Sequence, residues 1–132
     1  MKIRRTLAIL MSCLFAVSVL SVSVSAAGRF TDVPGNAYYA DAVEWAVEND
    51  ITFGTGANTF RPDAYCTRAQ ALTFIWKALG SPSSKYQYEN FADVVPNDYF
   101  YDAVLWATEN HITSGTSSTT FSPNQTVTRA QA

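Results

Sequence analysis

Apolar and polar positions alternate in two regimes along the chain. Residues 7–24 carry apolar and small side chains without a charge, behind a basic start of Lys2, Arg4 and Arg5. From residue 30 onward the apolar positions come in short periodic groups separated by Gly, Pro, Asn and Thr. Tyr39, Ala42, Val43 and Ala46 recur at helical spacing and predict a helix over 39–49 with that face inward. Glu44 and Glu48, four apart, fall on the other side. The same pattern predicts a helix over 100–110. Ala69, Leu72, Trp76 and Leu79, with Ile75 beside them, predict a third helix over 68–79. Gly80 is its natural stop and Pro82 follows. These elements are all helices, and the fold class expected is all-α.

The third helix has a marked beginning. Thr67-Arg68-Ala69-Gln70-Ala71 puts a glutamine three residues after a threonine, just before an apolar run. That is a capping box: Thr67 accepts from the Gln70 N–H, and the Gln70 side chain reaches back to the Thr67 N–H. The five residues recur as Thr128-Arg129-Ala130-Gln131-Ala132, so Thr128 and Gln131 are the matching pair. Arg68 is the odd member, because a cation beside the positive end of a helix dipole is mildly unfavourable. An arginine next to helix-start N–H groups suits an anion bound from outside. The plain alternative is a solvated surface side chain.

The recurrence extends well beyond this motif. Residues 30–71 align with 91–132 at an offset of 61 without a gap, and 24 of the 42 pairs are identical. The chain is therefore a tandem repeat. Each copy opens Phe-x-Asp-Val, through Asp32 and Asp93, and turns at Pro34-Gly35-Asn36 or Pro96-Asn97-Asp98. Trp45 and Trp106 flank the helical stripe, with core packing the plain reading and a ring face shown to a groove the functional one. Gly54 and Gly115 are expected to permit a backbone turn and to let backbone approach a ligand. Phe60 and Phe121 read as buried anchors, and Pro62 and Pro123 keep the chain extended after them. For Asp32 and Asp93 the residues themselves suggest a turn or cap acceptor. The expected organisation is a first repeat over 28–80, a polar linker over 81–90 and a second repeat over 91–132. The second copy has no counterpart to 72–80, which marks the sequence as a piece of a longer protein.

The basic start, the apolar run and the small residues Val24-Ser25-Ala26-Ala27 read as a secretory signal peptide over 1–26. A transmembrane anchor is the rival, since the run is about long enough to span a bilayer. The serines in its second half and the cleavage-like end favour removal. Leu10-Met11-Ser12-Cys13 resembles a lipoprotein box only faintly and lies too early. Removal leaves six basic and eleven acidic residues, a net charge of −5. An acidic, aromatic-rich chain does not look like a nucleic-acid binder, and after cleavage nothing keeps it in a membrane. Cys66 is the one cysteine left, so no internal disulfide or metal cluster is expected. His111 is the only histidine and pairs with Asp50 in the repeat, so the repeat does not need it. No nucleophile or paired-carboxylate set recurs. The visible residues are expected to be neither an enzyme nor the seat of a cofactor.

Phe-x-Asp-Val, the Trp-bearing helix, the Gly loop, Thr-Phe-x-Pro and Thr-Arg-Ala-Gln occur in that order, twice. Each copy resembles an S-layer homology domain. The resemblance implies a helix-loop-helix unit, three of which usually assemble into a pseudo-threefold bundle with binding grooves between units. It implies an exported protein held at the cell wall or cell surface of a Gram-positive-type bacterium. The implied partner is secondary cell-wall polysaccharide, often pyruvylated, together with further repeats or a cargo domain. The family's central arginine carries over to Arg68 and Arg129, its Trp and Gly-loop positions to Trp45, Gly54, Trp106 and Gly115, and the acids of the opening motif, Asp32 and Asp93, are further groove candidates. Gln70 and Gln131 depart from the family's frequent Glu, which puts the positioning of the arginine in question. The alternatives are a fragment of a self-assembling surface-layer protein, or the anchor of an extracellular glycan-active enzyme.

Overall fold

The computed structural model describes residues 26–87, 90–128 and 130–131. The predicted signal segment falls almost wholly outside the described residues, and Arg129 falls outside them too. Among the described residues four helices follow one another: α1 (Ala26–Arg29), α2 (Ala40–Glu48), α3 (Arg68–Ala78) and α4 (Tyr101–Glu109). α2, α3 and α4 are the three helices predicted, α2 and α4 shorter by a residue at each end and α3 by one at its C-terminal end. Among the described residues there is no strand, only isolated bridges. No helix among them is long and apolar enough to cross a membrane.

Each copy closes a long loop onto its opening turn by the same contacts. The Asp32 carboxylate accepts from the N–H groups of Phe60 at 2.8 Å and Arg61 at 2.7 Å. Asp93 accepts from Phe121 and Ser122, each at 2.8 Å. The Asn49 and Asn110 side chains donate to the Trp45 and Trp106 carbonyls at 2.8 Å and end their helices alike. The next residue is left-handed in both copies, Asp50 at φ 57 and His111 at φ 57, and the chain leaves the helix there. His111 thus occupies a turn position.

α3 departs from the expected unit. It does not fold back onto α2 of its own copy. It packs on α4 of the next copy. Ala69 and Leu72 enter a core with Phe91, Val94, Phe100, Ala103, Val104, Trp106, Ala107 and Phe121. A smaller core holds Phe30, Val33, Ala40 and Val43, with Phe60 partly buried against it. Among the described residues α2 is met by the short α1 rather than by a helix like α3, and two expected inward positions stay open: Ala42 is exposed and Ala46 half-buried. On α3, Leu79 and Ile75 also lie outward, at 62% and 38% exposure.

The predicted linker is tied down. α3 ends in a Schellman motif, with Gly80 N–H on the Lys77 carbonyl and Ser81 N–H on the Trp76 carbonyl. The Trp76 indole N–H then holds the Pro82 carbonyl at 2.9 Å. Ser84 and Lys85 donate to the Glu109 carboxylate at 2.9 and 2.8 Å. These bonds, the Lys85 N–H first, hold Glu109 below the usual carboxylate pKa.

Candidate functional site

The site is built where α3 starts. The capping box is complete: Gln70 N–H donates to the Thr67 hydroxyl at 3.3 Å, and Thr67 N–H donates to Gln70 Oε1 at 3.0 Å. Thr67 also forms an isolated antiparallel bridge with Thr126 of the second copy. There Val127 N–H donates to the Cys66 carbonyl at 3.0 Å, and Arg68 N–H to the Gln125 carbonyl at 2.8 Å. Ala69 N–H donates to the Pro123 carbonyl at 3.1 Å. These bonds correct one expectation. The N–H groups of Arg68, Ala69 and Gln70 are all taken within the protein, so the helix start holds no open cradle for an anion. At Thr128 only half of the box is formed: its N–H and hydroxyl both donate to Gln131 Oε1, at 3.0 and 3.1 Å.

The Arg68 side chain crosses the same seam. Its Nε donates to the Phe121 carbonyl at 2.9 Å, and an outer nitrogen lies 3.5 Å from the Thr113 hydroxyl. The guanidinium carbon sits 5.0 Å from the centre of the Phe121 ring. Arg68 is half-buried and fastens the first copy to the second. It also borders a small cleft of about 140 Å³ with Ile75, Ile112, Thr113, Val127 and Gln131. The Thr113 hydroxyl that its outer nitrogen meets also lines that cleft.

A larger cleft of about 470 Å³ lies on the other side of α3. The loop of the first copy gives it Phe53, Gly54, Arg61 and Tyr65; α3 gives Gln70, Thr73, Phe74 and Lys77; Tyr99 reaches in from the second copy. Phe53, Tyr65 and Tyr99 are 55%, 85% and 64% exposed, so the rings are presented rather than buried. The Lys77 ammonium donates to the Asp50 carbonyl at 3.2 Å and stands 5.3 Å from the centre of the Phe53 ring. Cys66 lies at the edge, its thiol pushed up in pKa by burial.

The other predicted residues fall into three roles. Trp45 is 54% exposed on the open face of α2, whereas Trp106 is 8% exposed in the second core. Gly54 and Gly115 have φ of +84° and +77°, and a Cβ at either would come within 2.6 or 2.5 Å of the Phe30 or Phe91 ring. They are needed for the turn and the close packing of loop on ring, and of the two only Gly54 borders a described cleft. Asp32 and Asp93 spend their carboxylates on loop N–H groups, and for Asp32 those bonds hold the pKa below the model-compound value of 3.8. Arg61, Lys77 and the exposed rings around them were not singled out by motif. Their signal lay in the differences between copies: Phe53, Arg61 and Tyr65 stand opposite Ser114, Ser122 and Thr126.

Fold and seam thus define a pair of interlocked helix-and-loop modules, repeated in one chain. The chain belongs to the S-layer homology domain family, matched at residues 29–72 and again at 90–132. A cell surface protein of Thermoanaerobacter kivui is 30% identical over 134 residues, 98% of this chain and 18% of that protein. A surface-layer 125 kDa protein of Lysinibacillus sphaericus is 33% identical, over 84% of this chain and 9% of its own length. An endoglucanase of Bacillus sp. (strain KSM-635) is 31% identical, over 83% of this chain and 11% of its own length. The chain therefore spans less than a fifth of these relatives. No solved structure matches it.

Proposed function

We propose that the chain is an anchoring module, held non-covalently at the bacterial cell wall by binding secondary cell-wall polysaccharide. The observation that carries this is the seam between copies. Two clefts flank α3 and offer cations, hydroxyls and presented aromatic rings, and no carboxylate lines either of them. Local positive charge of this kind takes an acidic polymer, a pyruvylated one included, even in a net acidic protein. Arg68 serves the smaller cleft with its remaining donors, and Arg129 is assigned the same part in a following seam. Trp45, open on α2, offers a ring face. The surface-layer and cell-surface relatives support location at the cell surface after export. A relative that is an endoglucanase fits an anchor that serves several kinds of cargo.

The open positions on α2 support a pseudo-threefold bundle. In the second copy the matching face is closed by α3, a helix that begins Thr-Arg-Ala-Gln. A helix of the same type from a further repeat would close the first, completing a ring of three. The test is co-sedimentation of the secreted chain with purified sacculi, before and after removal of the secondary polysaccharide. Binding only to unstripped walls is the expected result. Equal binding to stripped walls, or none to either, sinks the reading.

A further inference from the structure

We infer that α2 and α4 each carry, along one stripe, a docking site for an extended polypeptide segment. In the second repeat the linker fills it. In the first repeat its counterpart, Ala40, Glu44 and Glu48, is open and fits a segment that brings a lysine or arginine. Neither stripe borders a cleft described above, so the docking is a function apart from wall binding.

The filled site is on α4. Tyr101, Leu105 and Glu109 are four apart and form one stripe, and both ends of it hold the linker. At one end the Glu109 carboxylate accepts from the Ser84 hydroxyl at 2.9 Å and the Lys85 N–H at 2.8 Å. At the other the Tyr101 hydroxyl donates to the Gln87 carbonyl at 3.3 Å. Eight residues of helix rise about 12 Å and three extended residues reach about 10 Å, so 85–87 runs nearly straight between the two ties. Leu105 lies midway along that run. It is 5% exposed although it is no part of the second core, so the linker is what covers it. The Trp76 indole, on the Pro82 carbonyl at 2.9 Å, delivers the chain from the end of α3 onto the stripe.

The first repeat keeps one tie and changes the rest. The offset of 61 places Ala40, Glu44 and Glu48 where Tyr101, Leu105 and Glu109 stand. Glu48, the counterpart of the clasping acid, is exposed. Among the described residues neither its side chain nor that of Glu44 has a hydrogen-bond or ion-pair partner. Glu44 is half-buried at the position where the linker covers a leucine. An uncharged segment laid over it would strip a carboxylate of water and give it no partner, a cost that leucine does not carry. A segment with a cation at that point pairs with Glu44 and keeps a backbone N–H for Glu48. α2 adds Asp41 to these two acids and has no basic residue, so the counter-charge must come with the occupant. The same acids disfavour a second copy of this chain, because antiparallel pairing of α2 with α2 would set Asp41 against Glu48.

Amide hydrogen exchange and NMR on the secreted chain test both halves. In the second repeat, Leu105→Glu installs the first repeat's residue under the linker. It should speed exchange of the Lys85 N–H roughly tenfold or more. Leu105→Glu/Tyr86→Lys, with a cation between the two ties, should bring the rate back near wild type. Leu105→Met, uncharged and of similar size, should leave it unchanged, which separates charge from lost packing. In the first repeat the probes are free peptides copying residues 81–87: one native, one with Tyr86→Lys and one with Tyr86→Glu. They are used at millimolar concentration, the range that a short tether supplies. Only the lysine peptide should shift the Glu44 and Glu48 carboxylate signals, and Glu44→Leu should pass that preference to the native peptide. Unchanged Lys85 exchange in Leu105→Glu, no rescue by Tyr86→Lys, or no carboxylate shift with the lysine peptide would each overturn the inference. Wall binding stands or falls separately, since none of these changes touches a residue that lines either cleft.

Discussion

α2 and α4 carry nearly the same stripe and end in very different surroundings. Val43 and Val104 are both buried, but Ala42 is exposed where Ala103 is fully buried, and Trp45 is 54% exposed where Trp106 is 8%. The cause is α3, which belongs to the first copy by sequence and to the second core by packing. The unit of repetition and the unit of packing are therefore out of step by one helix. Such an arrangement makes the second copy depend on the first, because Ala69 and Leu72 of α3 complete its core, whereas the smaller core holds residues of the first copy alone.

The sharpest way to break this comparison is to remove the same ring from each copy. Phe121 is 1% exposed and meets Phe91, Phe100 and the Arg68 guanidinium. Phe60 is only half-buried and meets Phe30. Phe121→Ala is expected to cost about 3–5 kcal/mol, and Phe60→Ala roughly half as much, because less contact is lost from an open site. Urea unfolding followed by tryptophan fluorescence reads both. Equal losses would mean that α3 does not close the second core.

The glycine pair should behave in the opposite way. Gly54 and Gly115 share a left-handed φ and the same approach to a phenylalanine ring and a threonine carbonyl. Alanine at either is expected to cost about 1–3 kcal/mol, and the two costs should agree, since the loops are local and equivalent. Thermal unfolding of the two single variants is sufficient. A large difference between them would show that the two loops are not equivalent.

Much of this architecture was legible in the chain. Helix positions, the glycine turns, the capping box and the repeat came from periodicity, glycine placement and internal alignment, whereas the left-handed exits at Asp50 and His111 carried no glycine to mark them. The partner of α3 did not, because Ala69, Leu72 and Trp76 define an apolar face without naming the helix that meets it. The helix-start N–H groups looked open for the same reason: the Gln125 and Pro123 carbonyls that accept from them lie more than fifty residues away in sequence. The larger cleft hid for a different reason. Motif reading favours what the copies share, and its distinctive residues are those they do not share.

Thr67 gives a smaller effect that sharpens the same point. Its hydroxyl caps α3 and its backbone bridges to Thr126. Thr67→Ala is expected to cost about 0.5–2 kcal/mol. Because α3 packs on α4, the loss should appear as earlier exposure of Trp106 on heating. Thr67→Ser should restore it. A loss that serine does not rescue would place the effect in the threonine methyl rather than in the cap.

The smallest effect expected is that of acid on the first loop. The N–H groups of Phe60 and Arg61 hold the Asp32 carboxylate, in that order of importance, and the charge of Arg61 adds to them, so its folded pKa lies below 3.8. A depressed carboxylate pKa favours the folded state at pH values above the unfolded pKa. That favour fades as pH falls from about 3.8 through the lower folded value, since protonation then weakens two bonds that the unfolded chain never makes. The group is exposed, so solvent screens the interaction and the gain is modest. Asp32→Asn keeps one oxygen acceptor but sets an amide donor against the second N–H, so it should melt earlier than wild type at neutral pH. The gap between the two melting temperatures should then narrow as the solution is acidified below about pH 4, where wild type loses the anion that the variant never had. A gap that stays constant across that range would mean the Asp32 charge contributes nothing and its shape alone closes the loop.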